Sequence, residues 1–147
     1  MKRSLPRMLL AAALLWLTST AAAADDTHSY RVSIPTLTLG ADERITALHI
    51  EIKGARLKSL PVVPAGWTLS MRNETSAPST LDGAVIVGAA ALEADALRDF
   101  IVIERSSPEI PLSLRAVLTV ARYYEGPRHV RRLRVSHAQF VLRDVHD

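Results

Sequence analysis

Pro111–Arg122 reads PLSLRAVLTVAR, and the parity of its apolar residues decides the fold class. Leu112, Leu114, Ala116, Leu118 and Val120 take one set of alternate positions. Ser113, Arg115, Thr119 and Ala121 take the other, with Val117 interrupting the polar side. Successive side chains of a pleated strand leave the backbone in opposite directions, so a period of two means one buried face and one wet face. Glu125-Gly126-Pro127 then signals a turn, and a second β run extends from Val130 to Val145. Together the two runs predict a long antiparallel hairpin that closes the domain. Within its second arm Leu133 and Val135 share one parity while Phe140 and Leu142 share the other, which predicts a bulge or bend between Val135 and Phe140.

The same period recurs upstream. In LHIEIK, Leu48, Ile50 and Ile52 alternate with His49, Glu51 and Lys53. Tyr30, Val32 and Ile34 alternate before Pro35 shifts the apolar register to Leu37 and Leu39, the mark of an edge strand or a bulge. Trp67, Leu69 and Met71 share parity after Gly66, while GAVIVGAA (83–90) and the shorter FIVI (100–103) read as strands buried on both faces. Only Ala89–Asp99 argues for helix, with Leu92, Ala96 and Phe100 at four-residue spacing; it is too short to hold alone, so a helical turn between two strands is expected. Seven to nine short strands without βαβ alternation predict an all-β, two-layer antiparallel β-sandwich with at most one short helix near residues 90–99. A closed β-barrel is the alternative.

Length and composition set the bounds. The chain has 147 residues, 22% of them charged, and no cysteine. One ordinary domain fits, and disulfide frameworks, thiolate nucleophiles, Cys-ligated zinc and lipidation at a lipobox cysteine are excluded. Met1–Ala24, MKRSLPRMLLAAALLWLTSTAAAA, has a basic start at Lys2, Arg3 and Arg7, an apolar run from Met8 to Leu17, and small residues at Ala22-Ala23-Ala24. That order predicts a cleaved signal peptide over residues 1–24, a single sandwich domain over 25–147, and a periplasmic or extracellular location with no membrane span after cleavage. Losing Lys2, Arg3 and Arg7 brings the 18 basic residues down to the 15 of the acidic set. The mature chain is then formally neutral, and the basic balance of the whole sequence is no sign of nucleic-acid binding.

The order of features from Arg44 to Val120 resembles the cohesin-like and carbohydrate-binding-like sandwiches of exported bacterial proteins, which share the immunoglobulin-like layered plan. An ITALHIEIKG strand leads into LKSLPVVPAGW, a GAVIVGAAAL run, a short acidic turn, FIVIE and a strand beginning PLSLRAVLTV. The resemblance implies a β-sandwich. The chain lacks the Tyr-Asp pair that such modules often carry after the Ile45-Thr46-Ala47 strand, and no dockerin-type segment is visible, so no binding residue follows from it.

Chemistry-bearing patterns are few. His28, His49, His129, His137 and His146 form no His-x-His or HExxH pattern, and no metal or cofactor is expected. There is no GxSxG elbow around any serine, and no Gly-rich phosphate loop, so no catalytic residue is assigned. Glu93, Asp95 and Asp99 read as a hydrated acidic connector, and His137 and Gln139 as polar positions on one strand face. Arg128, His129, Arg131, Arg132 and Arg134 form the densest charge cluster, beside Tyr123 and Tyr124. Alternation puts Arg132 and Arg134 on one face and Arg131 on the other. Guanidinium groups bind carboxylate and phosphate bidentately, which makes Arg128, Arg132 and Arg134 candidate ligand-binding residues. Trp67 is a further candidate, as a sugar-stacking ring, against a core role. The expected function is a non-enzymatic interaction or accessory module of the cell envelope, meeting another envelope protein by strand-edge contact. Binding of an anionic glycan or phosphate-bearing ligand through the Arg-rich hairpin is the alternative, and a small envelope hydrolase the second. Oligomeric state is not legible.

Overall fold

The computed structural model describes residues 27–60, 63–74, 77–85, 91–122 and 130–146. Nine strands occur among them: β1 His28–Ser33, β2 Glu43–Lys53, β3 Arg56–Ser59, β4 Trp67–Arg72, β5 Ser79–Val85, β6 Ile101–Arg105, β7 Ser113–Arg122, β8 Val130–Val135 and β9 Val141–Asp144. They form a four-stranded sheet in the order β3-β6-β1-β9 and a five-stranded sheet in the order β4-β5-β2-β7-β8, all pairs antiparallel. Neither sheet closes on itself. The architecture is therefore a two-layer sandwich and not a barrel.

The alternating residues of the longest strands make the core. Leu114, Ala116, Leu118 and Val120 of β7 stand opposite Ile52, Ile50, Leu48 and Ile45 of β2, and all eight are buried. The four-stranded sheet answers with Val32, Leu57, Ile101 and Ile103. β2 and β7 keep step except at a bulge between Ile45 and Ala47, beyond which the core parity of β2 is reset.

Where the chain changes sheets, the sequence pattern breaks. Pro35 lies beyond the end of β1, and β1 is an interior strand between β6 and β9, not the edge strand that the proline suggests. The 34–40 segment carries the chain to the other sheet. Leu37 and Leu39 pack as half-buried residues against the core. The bend expected between Val135 and Phe140 is a 3-10 turn, His137–Gln139, closed by a reciprocal Ser136–Gln139 capping box. It takes the chain from β8 in one sheet to β9 in the other, so the long hairpin is in fact the β7–β8 pair followed by a crossover. The expected helical turn is a 3-10 turn, Ala94–Leu97, anchored by buried Leu97. Leu92, just before it, bridges Ile45 through N–H···O bonds of 2.8 and 3.0 Å.

GAVIVGAA is buried on one face only where it is described: β5 begins earlier, at Ser79, and Ala84 is exposed. Residues 86–90 lie outside the described residues, as do the expected signal peptide and the Glu125-Gly126-Pro127 turn. FIVI likewise alternates, with Ile101 and Ile103 buried and Phe100 and Val102 half-buried. Among the described residues no helix is long and apolar enough to cross a membrane.

Candidate functional site

The arginines of β8 fall on opposite faces because strand parity separates neighbours. The register pairs Arg131 with Val120, Leu133 with Leu118 and Val135 with Ala116, which sets these three on the core side. Arg132 pairs with Thr119 and Arg134 with Val117, which sets them on the outer face, both exposed.

Arg131 is occupied within the fold. Its Nε donates to Glu43 Oε1 at 2.8 Å, and its Nη2 to Glu43 Oε2 at 2.6 Å and to the Thr38 carbonyl at 3.1 Å. The Gly40 amide donates to the same Glu43 carboxylate at 2.8 Å. The result is a clamp tying β8 to the start of β2 and to the 34–40 crossover. The bidentate Arg131 contact first, and then the Gly40 N–H, hold the Glu43 carboxyl down from 4.5 to about 2. A depressed carboxyl stabilises the fold at pH values above its unfolded-state value, and that contribution is lost as pH falls from 4.5 toward 2. Urea unfolding at pH 7 and pH 3 should show Glu43→Gln less stable than wild type at pH 7, with the gap narrowed at pH 3. An equal gap at both pH values would remove the clamp from the acid response.

Arg132 and Arg134 have no hydrogen-bond or ion-pair partner among the described residues. Neither has Arg115, on the same outer face of β7 and opposite Glu51 of β2. Sequence reasoning passed over Arg115, although its parity with Val117 and Thr119 was readable; what was missing was the register that sets β8 beside it. Arg128, His129, Tyr123 and Tyr124 lie outside the described residues.

Trp67 is placed elsewhere. It is 6% exposed, faces the core from β4, and packs with Leu48, Leu69 and Leu81. Gly83 opposite Leu69 makes room: a Cβ there would lie 2.5 Å from Leu69 Cδ2 and 3.3 Å from Trp67 Cε3. β4 and β8 are the two edges of the five-stranded sheet, about 19 Å apart at ~4.8 Å per strand. Trp67 therefore shares no site with Arg132 and Arg134.

The remaining titratable groups form small pairs. His49 Nδ1 lies 2.6 Å from Asp82 Oδ1 on the outer face, and Ser70 stands beside Asp82 on β4. This row puts aspartate between serine and histidine, whereas a serine nucleophile needs the imidazole next to it. His137 sits in the 3-10 turn and not on a strand face; its Nδ1 accepts the Leu114 amide at 3.1 Å. Glu93 pairs with Arg44 and Asp95 with Arg98, both at 3.4 Å, and Asp99 binds Ser33 and Arg143. Among the described residues no three His, Asp or Glu side chains converge at metal-binding distance. No family model, curated protein or solved structure matches the chain.

Proposed function

We propose that the chain is an exported β-sandwich that works as a non-enzymatic protein-interaction module of the cell envelope, with β8 as its contact strand. The observation that carries this reading is the contrast within β8. Arg131 is neutralised by Glu43, while Arg132 and Arg134 stand exposed on an edge strand without a partner among the described residues. Charge held ready on an edge and not consumed by the fold is charge available to another molecule. The leader-like residues 1–24 support export. The test is retention of envelope proteins on the immobilised chain. Wild type should retain a protein that the Arg132→Glu, Arg134→Glu double variant releases; identical retention by both would overturn the role of β8.

A second reading has its own support in Arg115, which adds to the face of Arg132 and Arg134 a third guanidinium without a partner among the described residues. Such a patch suits an anionic glycan or phosphate-bearing ligand; Arg128, the remaining candidate from the sequence, lies outside the described residues. Here Arg128→Ala, Arg132→Ala, Arg134→Ala should abolish retention on heparin and its salt dependence. Unchanged retention would sink this reading.

A further inference from the structure

We propose that β8 accepts an extended segment of a partner protein in which Asp or Glu alternates with aliphatic residues, added as a sixth strand of the five-stranded sheet. The inference rests on the interaction reading above and names the chemistry of the partner.

The sheet edges differ in what they leave open. The edge of β3 is capped by one side chain: Asn73 Oδ1 accepts the Leu57 amide at 3.1 Å and Asn73 Nδ2 donates to the Leu57 carbonyl at 2.9 Å. The amide thus takes the place of a neighbouring peptide, and the edge is blunted. β9 is four residues long, and its Arg143 is tied to Asp99. On β4 the outward-facing charge, Arg72, is paired with Glu74. β8 has six residues, and among the described residues no other segment makes a backbone hydrogen bond to its outer edge.

A strand added there would lie about 4.8 Å from β8, with its side chains alternating between faces as those of β8 do. One set falls beside Arg132 and Arg134, which repeat about every 6.8 Å along the strand. The other set falls over a groove of about 280 Å³ between β8 and the crossover, walled by Leu37, Leu133 and Val135 together with Arg131, Arg134 and polar residues of the crossover and the following turn. Carboxylates suit the first set; in the second, Arg131 is already held by Glu43, so a side chain beside Leu37 and Leu133 is best aliphatic. The same arginines exclude the obvious competitor: a second copy of β8 would bring Arg132 and Arg134 against arginines, and like charges opposite each other destabilise a strand pair.

The probes are a peptide alternating glutamate and valine, a block isomer of the same composition, an alternating peptide N-methylated along one edge, and heparin. Fluorescence anisotropy gives affinity, and amide exchange reports the β8 backbone. Only the alternating peptide should bind tightly and slow exchange in β8, and N-methylation should abolish its binding. Arg132→Ala with Arg134→Ala should weaken it about tenfold, two exposed ion pairs' worth, with an unchanged thermal midpoint. Equal binding of the block isomer or heparin without protection of β8 would overturn strand addition and favour the anionic-ligand reading. Binding of none of the probes would overturn the inference, while envelope-protein retention lost in the Arg132→Glu, Arg134→Glu variant would still support β8 as the contact strand.

Discussion

Leu118→Ala should destabilise the fold by about 3 kcal/mol, within the range of roughly 2–5 kcal/mol found for buried leucine truncations. Leu118 is fully buried at the middle of β7, flanked on the core side by Leu48 of β2 and Leu133 of β8. All three belong to strands held in register on both sides or anchored by a clamp, so the backbone cannot collapse far into the vacated volume. Lost transfer free energy and an unfilled cavity therefore add. For a domain of this size the loss should appear as a fall of roughly 10–20 °C in thermal midpoint. Val117→Ala, one residue away on the half-buried outer face, should cost no more than about 1 kcal/mol. Comparable losses at both positions would mean that the sheet does not bury one face of β7.

That contrast between neighbours also explains what the sequence made legible. β2 and β7 bury one face along most of their length, and such strands write their orientation into every second residue; hence LHIEIK and LSLRAVLTV read correctly. The opposed faces of Arg131 and of Arg132 with Arg134 were legible on the same ground. Pairing partners were not, because they are set by contacts distant in sequence. Glu43 and Arg131 are 88 positions apart, and nothing local to either announces the other. The parity switch at Val135–Phe140 announced a break but not its destination in the second sheet, since a bulge within one strand and a crossover between two leave the same trace. Proline at position 35 misled for a related reason: the missing N–H matters only inside a ladder, and β1 had already ended. His137 was read as a strand residue because a three-residue 3-10 turn has too few positions to show a period.

Gly54→Ala should cost about 2–4 kcal/mol, combining a backbone conformation that alanine disfavours with a clash it cannot relieve. Gly54 lies between β2 and β3 with φ +81°, in the left-handed region. A Cβ there would stand 2.5 Å from the Pro111 carbonyl oxygen, 3.0 Å from its carbon and 3.2 Å from Leu112 Cα. These are main-chain atoms leading into β7, so relief requires moving the start of the strand that pairs with both β2 and β8. Gly40→Ala is the comparison. The three atoms nearest its Cβ would be side-chain atoms of Asp42 and Glu43, at 3.4 Å, an ordinary contact, so the change should alter stability little. Gly54→Asn separates the two causes, because asparagine tolerates positive φ but carries the same Cβ into Pro111. Denaturant unfolding should find Asn only slightly better than Ala at position 54. Stability near wild type for Gly54→Asn would show that the turn needs the backbone angle alone, and that the Pro111 segment is not held against it.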